Sequence, residues 1–304
     1  MEKASFFKLS IIGCTINLFL SFLLIILYYS YLPDIGFSQE SLWDYLNSVN
    51  LLDSFFLYQF FEALWLFGLL TLFFHFNNIY LVNIHNVLLL MLLILIYSGI
   101  TICIWCFFDT YIDVLSSSSQ RILCYSAFTF LHYIFYSVFL YYLIKLSKKF
   151  FFKHRQAFRL TPQNSSLIHA ILFLAFICPI FYSGFQIIEV FCDKYVNPNL
   201  KFIFVLFILF CMRASKKNFM ISFDEFQYER LFKSVFVSSI LLLLNVLIFL
   251  LLRGKPRSFY FDYYSLILDY VKLLFLVVLF LLLTYLILNK VTKYYFLKFD
   301  SKKE

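Results

Sequence analysis

Charge is missing from this chain in long blocks. Residues 9 to 32, 52 to 76, 86 to 108, 122 to 146, 167 to 192, 231 to 252 and 265 to 289 are almost wholly apolar, and each is long enough for a bilayer-spanning helix, which takes about 20 such residues. An eighth stretch, Leu200 to Met212, is shorter. At about 1.5 Å per residue it reaches only about 20 Å, so it spans only if its ends continue as helix or the bilayer thins locally.

Composition agrees with a bilayer as solvent. Hydrophobic residues make up 63% of the 304, charged residues 14%, and the mean hydropathy is +0.86, whereas soluble domains average about 25% charged residues. The 44 Phe and 23 Tyr against 6 Gly imply helix packing by bulky rings rather than by small-residue seams. The net charge of +8 comes from basic residues that flank the apolar blocks, so the lipid bilayer, with its anionic headgroups, is the expected partner and nucleic acid is not.

The first apolar run follows Lys3 and Lys8 as in a signal peptide, but it is longer than one and no small-residue cleavage pattern follows, so a retained anchor is expected. No linker, polar block or internal repeat divides the chain. The expected fold is therefore all-α: one polytopic membrane helix bundle over 1–304, with seven to eight transmembrane helices.

Lys and Arg concentrate on the cytosolic side of short loops. The region 33 to 51 carries Asp34, Glu40 and Asp44 without a basic residue, whereas the loop after the fourth block carries Lys145, Lys148, Lys149, Lys153, Arg155 and Arg159. A cytosolic N-terminus follows. The tail, with Lys290, Lys293, Lys298, Lys302 and Lys303, prefers the cytosol too, which favours eight spans. This orientation argues against an ordinary G-protein-coupled receptor, despite Gly13 and Asn17 in the first helix and Asp109-Thr110-Tyr111 at the end of the third.

Ionisable groups in the hydrocarbon core cost roughly 2.5–3.5 kcal/mol on insertion scales, which makes them functional candidates. Three pairs stand out, each at the spacing that makes two residues neighbours on one helix face: Gln59 with Glu62, Gln186 with Glu189, and Asp269 with Lys272. With the second helix running inward and the fifth outward, the first four lie in the outer half of the bilayer. There they can line an external small-molecule pocket with Trp65 and Tyr182. The alternative is that Glu62 is bonded inside the bundle and Glu189 lies at headgroup level. Asp269 and Lys272 either neutralise each other or serve permeation. Pro179 removes a backbone hydrogen bond within the fifth block and is expected to kink it.

No catalytic or metal motif is present in the sequence, so neither an enzyme nor a cofactor is expected. Cys103 and Cys106 share a membrane helix, where packing is the expected role. Together with Cys124 and Cys192 they fall near the outer face, where a disulfide is chemically allowed.

The last block contains Thr284-Tyr285 followed by Leu286-Ile287-Leu288. This resembles the Thr-Tyr, five apolar, Gln-Phe signature in the final helix of insect gustatory receptors, with Asn289 and Lys290 inside the apolar five and Val291-Thr292 where Gln-Phe would stand. That superfamily has a cytosolic N-terminus and about seven helices. The resemblance implies a plasma-membrane chemoreceptor, a tetrameric ligand-gated cation channel subunit whose final helix, with Asp269, Lys272, Thr284 and Tyr285, lines a pore. The competing expectation is a small-solute or lipid transporter in which Glu62, or Asp269 with Lys272, exchanges ions or protons.

Overall fold

The computed structural model describes residues 3–31, 55–113, 118–153, 162–192, 198–219, 226–253 and 263–296. Loop charges that orient the chain, Asp34, Glu40, Asp44, Arg155 and Arg159, and the tail lysines Lys298, Lys302 and Lys303 lie outside them. The described residues form eight α-helices and no strand: α1 (Lys3–Tyr31), α2 (Phe55–Phe76), α3 (Ile84–Asp113), α4 (Ser118–Ser147), α5 (Pro162–Cys192), α6 (Pro198–Ser215), α7 (Tyr228–Arg253) and α8 (Tyr263–Phe296), with a 3-10 turn at Lys216–Phe219.

Six of them contain stretches long and apolar enough to cross a membrane: Phe6–Leu23, Gln59–Phe76, Ile84–Thr101, Ser165–Glu189, Tyr228–Arg253 and Leu268–Phe296. Their outward faces are apolar rather than polar. Phe19, Phe60, Leu88, Leu92, Phe236 and Phe275 are all exposed, which water would penalise and lipid tails do not. The short eighth block is part of α6, whose 18 residues reach about 27 Å at 1.5 Å per residue. Its apolar stretch, Ile203–Arg213, remains shorter than a full span.

The chain divides into two compact units, Met1–Arg159 and Leu160–Glu304. In the first, α1 packs on α2 and α3, and α4 packs on α3 and α2. At Gly13 the side chains of α2 and α3 close directly on α1. A Cβ there would sit 2.7 Å from Leu70 Cδ1 and 3.3 Å from Leu90 and Ile94 side-chain atoms. Helix α2 ends on Asn78, whose φ of 54° puts it in the left-handed region that Asn tolerates. Ile79 N–H reaches Phe74 O and Asn78 N–H reaches His75 O, the paired bonds that close a helix C-terminus. Asn83 then caps α3 by accepting from Asn86 N–H at 2.7 Å, as short polar side chains do at helix starts. Asn86 in turn clasps the chain beyond α4, donating to Phe152 O and accepting from Phe152 N–H.

In the second unit α5 is the most enclosed helix and α8 the least. Helix α7 lies between α5 and α8, and α6 packs on both α5 and α8. The core is aromatic: Phe204 of α6 meets Phe280 of α8 at 4.2 Å, Phe249 of α7 at 5.6 Å and Phe185 of α5 at 6.0 Å between ring centroids. Gly184 fits directly under Leu243, where a Cβ would overlap the Leu243 side chain. Helix α5 continues through Pro179 as one element. Helix α8 runs seven residues past the expected end at 289, to Phe296, because Asn218 donates to Asn289 Oδ1 at 3.0 Å and Thr292 Oγ1 at 2.9 Å and holds that polar extension against the 3-10 turn.

Candidate functional site

Each unit encloses polar groups among apolar helices, and the two interiors are built differently. In the first unit, residues from α1 to α4 converge. Glu62 of α2 is buried and faces His132 of α4, with Oε1 3.8 Å from Nε2. The His132 ring lies 3.7 Å from the Tyr136 ring, which lies 5.8 Å from that of Tyr97 on α3. Tyr136 O–H donates to Thr101 O at 3.2 Å. Trp65, one turn along from Glu62, donates its Nε1–H to Ser137 Oγ at 2.8 Å and packs on the Tyr133 ring at 5.1 Å. From α1, Asn17 accepts from Ser98 Oγ at 3.3 Å, and Cys14 Sγ–H donates to Ala63 O at 3.3 Å.

Two amide atoms in this core are buried without a hydrogen-bond partner: Asn17 Nδ2 and Gln59 Oε1. Buried polar atoms are almost always partnered, and each exception asks for an explanation. Beyond this core, the first unit has a narrow apolar gap lined by residues such as Leu70, Leu90, Leu140 and Phe151. It offers nothing polar to orient a ligand.

The second unit encloses an ion pair. Lys201 Nζ of α6 contacts Glu189 Oε2 of α5, and each residue is 7% exposed. The ammonium also lies 5.8 Å from the Phe185 ring centroid, a favourable placement for a cation. Between α7 and α8, Asn245 donates to Phe280 O at 3.1 Å and to Thr284 Oγ1 at 3.2 Å. Nearer the other end of α5, His169 Nε2 accepts from Gln227 N–H at 3.2 Å, and Nδ1 lies 2.7 Å from Ser165 O. An accepting Nε2 leaves the ring proton on Nδ1.

The residues expected to share one pocket fall on both units: Gln59, Glu62 and Trp65 on α2 of the first, Tyr182, Gln186 and Glu189 on α5 of the second. Within its own unit each set shares a helix face. Tyr182 is buried and Gln186 half-buried. Glu189, expected either to line the pocket or to lie at headgroup level, is engaged by Lys201. Asp269 and Lys272 are both exposed on α8, and no described ion pair joins them. Thr284 is buried against Asn245, while Tyr285 is 37% exposed. Cys103, Cys124 and Cys192 are free thiols, and the side chain of Cys106 lies outside the described residues.

Sequence reasoning missed His132, Lys201, Asn218 and Asn245. Lys201 had a signal, since it is the second residue of the short apolar stretch Leu200 to Met212, yet a charge at the end of such a stretch reads in sequence as a flanking loop charge. His132 is flanked by apolar and aromatic residues and is distinguished only by what it faces. No protein-family model, curated protein or solved structure matches this chain. Over the described residues the fold and these interiors define an all-helical protein with six helices long and apolar enough to cross a membrane and ionisable groups enclosed among its helices.

Proposed function

We infer that this chain is a chemoreceptor-like multi-pass protein of the plasma membrane, with seven to eight spans and a cytosolic N-terminus. In this reading it is a subunit of an oligomeric ligand-gated cation channel responding to a small molecule. The observation that carries the reading is the enclosed Glu62 among polar residues of α1 to α4, because an ionisable side chain inside a membrane bundle costs several kcal/mol and marks function by default. The Thr284-Tyr285 resemblance supports it. So does the α7–α8 seam, where Asn245 holds the face of α8 that carries Thr284, leaving Asp269, Lys272 and Tyr285 on its exposed faces.

A ligand opens such a channel only through differential affinity for the open arrangement. Two measurements test the proposal. Cells expressing the chain are screened for ligand-evoked cation current, and Glu62→Ala is expected to abolish or shift the response. Unchanged current in that variant removes Glu62 from the site. A tag at Met1 is expected to bind antibody only after permeabilisation, and staining of intact cells overturns the orientation.

One observation favours a second reading. The Glu62 and His132 pair is an acid facing a base inside the bundle, an arrangement that a proton-coupled transporter of small solutes or lipids can use. Saturable, gradient-coupled uptake supports it, and current without coupled flux supports the channel.

A further inference from the structure

The arrangement around Glu62 contains more information than burial alone. A carboxylate alone among apolar helices is disfavoured, whereas a protonated carboxyl, or a carboxylate beside an imidazolium, is tolerated. With His132 Nε2 3.8 Å from Glu62 Oε1, one proton on the pair keeps the net charge at zero. Removing it leaves an uncompensated negative charge between α2 and α4.

The neighbouring groups show where that proton can reside. Gln59 Oε1 is a buried acceptor without a donor, and it lies one turn before Glu62 on the same helix face. A protonated Glu62 carries the O–H that this acceptor lacks. His132 Nε2 is the alternative seat: the Glu62 O–H bond breaks as the N–H bond forms, leaving carboxylate and imidazolium, once the two side chains close from 3.8 Å to hydrogen-bonding distance. The other titratable groups around the pair are Tyr97 of α3 and Tyr136 of α4, each in electrostatic contact with Glu62, Tyr133 of α4, whose ring lies 5.5 Å from that of His132, and Cys14 of α1, which bonds the carbonyl of Ala63 next to Glu62. Thiols and phenols are ordinarily uncharged near neutral pH, so they solvate the pair without competing for its proton.

We propose that Glu62 and His132 form a proton-binding site within the bundle, so that H⁺ is itself a ligand of this protein. Because the site draws on all four helices α1 to α4, loss of the proton changes the packing of the whole unit, giving external pH a direct hold on its conformation. The proposal deepens the function inferred above by naming the ligand of Glu62. It rests on the helices spanning a bilayer and stands whether the protein conducts or transports.

The test is infrared difference spectroscopy of the full-length protein in lipid nanodiscs, titrated from acid to alkaline buffer. A protonated-carboxyl C=O band that disappears on titration in wild type and is absent in Glu62→Gln is expected. A wild-type protein that shows no such band even in the most acid buffer, or a band that persists in Glu62→Gln, overturns the site. His132→Gln retains Glu62 and keeps the measurement decisive if the first variant misfolds. Its titration midpoint is expected to move by about one pH unit or more, a tenfold change in proton affinity, and an unmoved midpoint overturns the pairing. Because the readout needs no current, an intact band without ligand-evoked current sinks the channel proposal alone.

Discussion

The first unit leaves its polar interior under-satisfied, while the second largely closes its own. Around Glu62 the acid and base stand 3.8 Å apart, and two amide atoms, Asn17 Nδ2 and Gln59 Oε1, have no partner. In the second unit Lys201 contacts Glu189 directly, and Asn245 and Asn218 each make at least two hydrogen bonds. Its described unpartnered atoms are the hydroxyls of Ser183 and Ser238, and no amide is among them. Polar groups that satisfy one another hold helices together, whereas groups held short of satisfaction are available to a ligand.

The largest expected effect is at the ion pair. Lys201→Met leaves Glu189 buried without its cation and should destabilise the protein by about 3–5 kcal/mol, while the double variant Lys201→Met with Glu189→Leu should recover most of that loss. Thermal unfolding in detergent or nanodiscs measures both. A fully stable Lys201→Met breaks the contrast between the units.

Next is close packing. Gly184→Leu forces a side chain into the space of Leu243 and should cost about 1–3 kcal/mol. Gly99, whose added Cβ meets nothing within 4 Å, should accept alanine with a change within about 0.5 kcal/mol. Equal losses at the two glycines would mean that α5 and α7 are not in the close contact described. Smaller again is Asn245→Leu, which removes the bonds to Phe280 O and Thr284. Hydrogen bonds between membrane helices average about 0.6 kcal/mol and reach about 1.7, so a loss in that range is expected from the same unfolding assay. Smallest is Asp269→Asn, which should leave stability unchanged because the exposed carboxylate has no described ion-pair partner. A measurable loss would show that it pairs after all.

Much of the fold was legible because apolar runs of membrane length leave the backbone few alternatives to helix. The seven long blocks and the short eighth all correspond to helices. Boundaries were less legible, because helix α8 continues past Asn289 and Lys290 on hydrogen bonds supplied by Asn218, some 70 residues away. The same limit applied to the sites. Gln59 and Glu62 are adjacent on one helix and readable from spacing, as are Gln186 and Glu189. Their partners His132 and Lys201 are on other helices, and no local periodicity encodes which residue a carboxylate will face. Lys201 was further hidden by its position near a helix end, where charge ordinarily signals a loop.

The division of labour between the units is tested most directly by one pair of substitutions, Glu62→Gln and Glu189→Gln, followed by thermal unfolding across pH in nanodiscs. We predict that Glu189→Gln lowers the melting temperature markedly, since Lys201 is left buried beside a neutral amide. Glu62→Gln should keep a melting temperature near wild type and lose the acid-dependent component of its stability. A large loss at Glu62 with none at Glu189, or identical behaviour of the two variants at every pH, would contradict the assignment of structural work to the second interior and proton binding to the first.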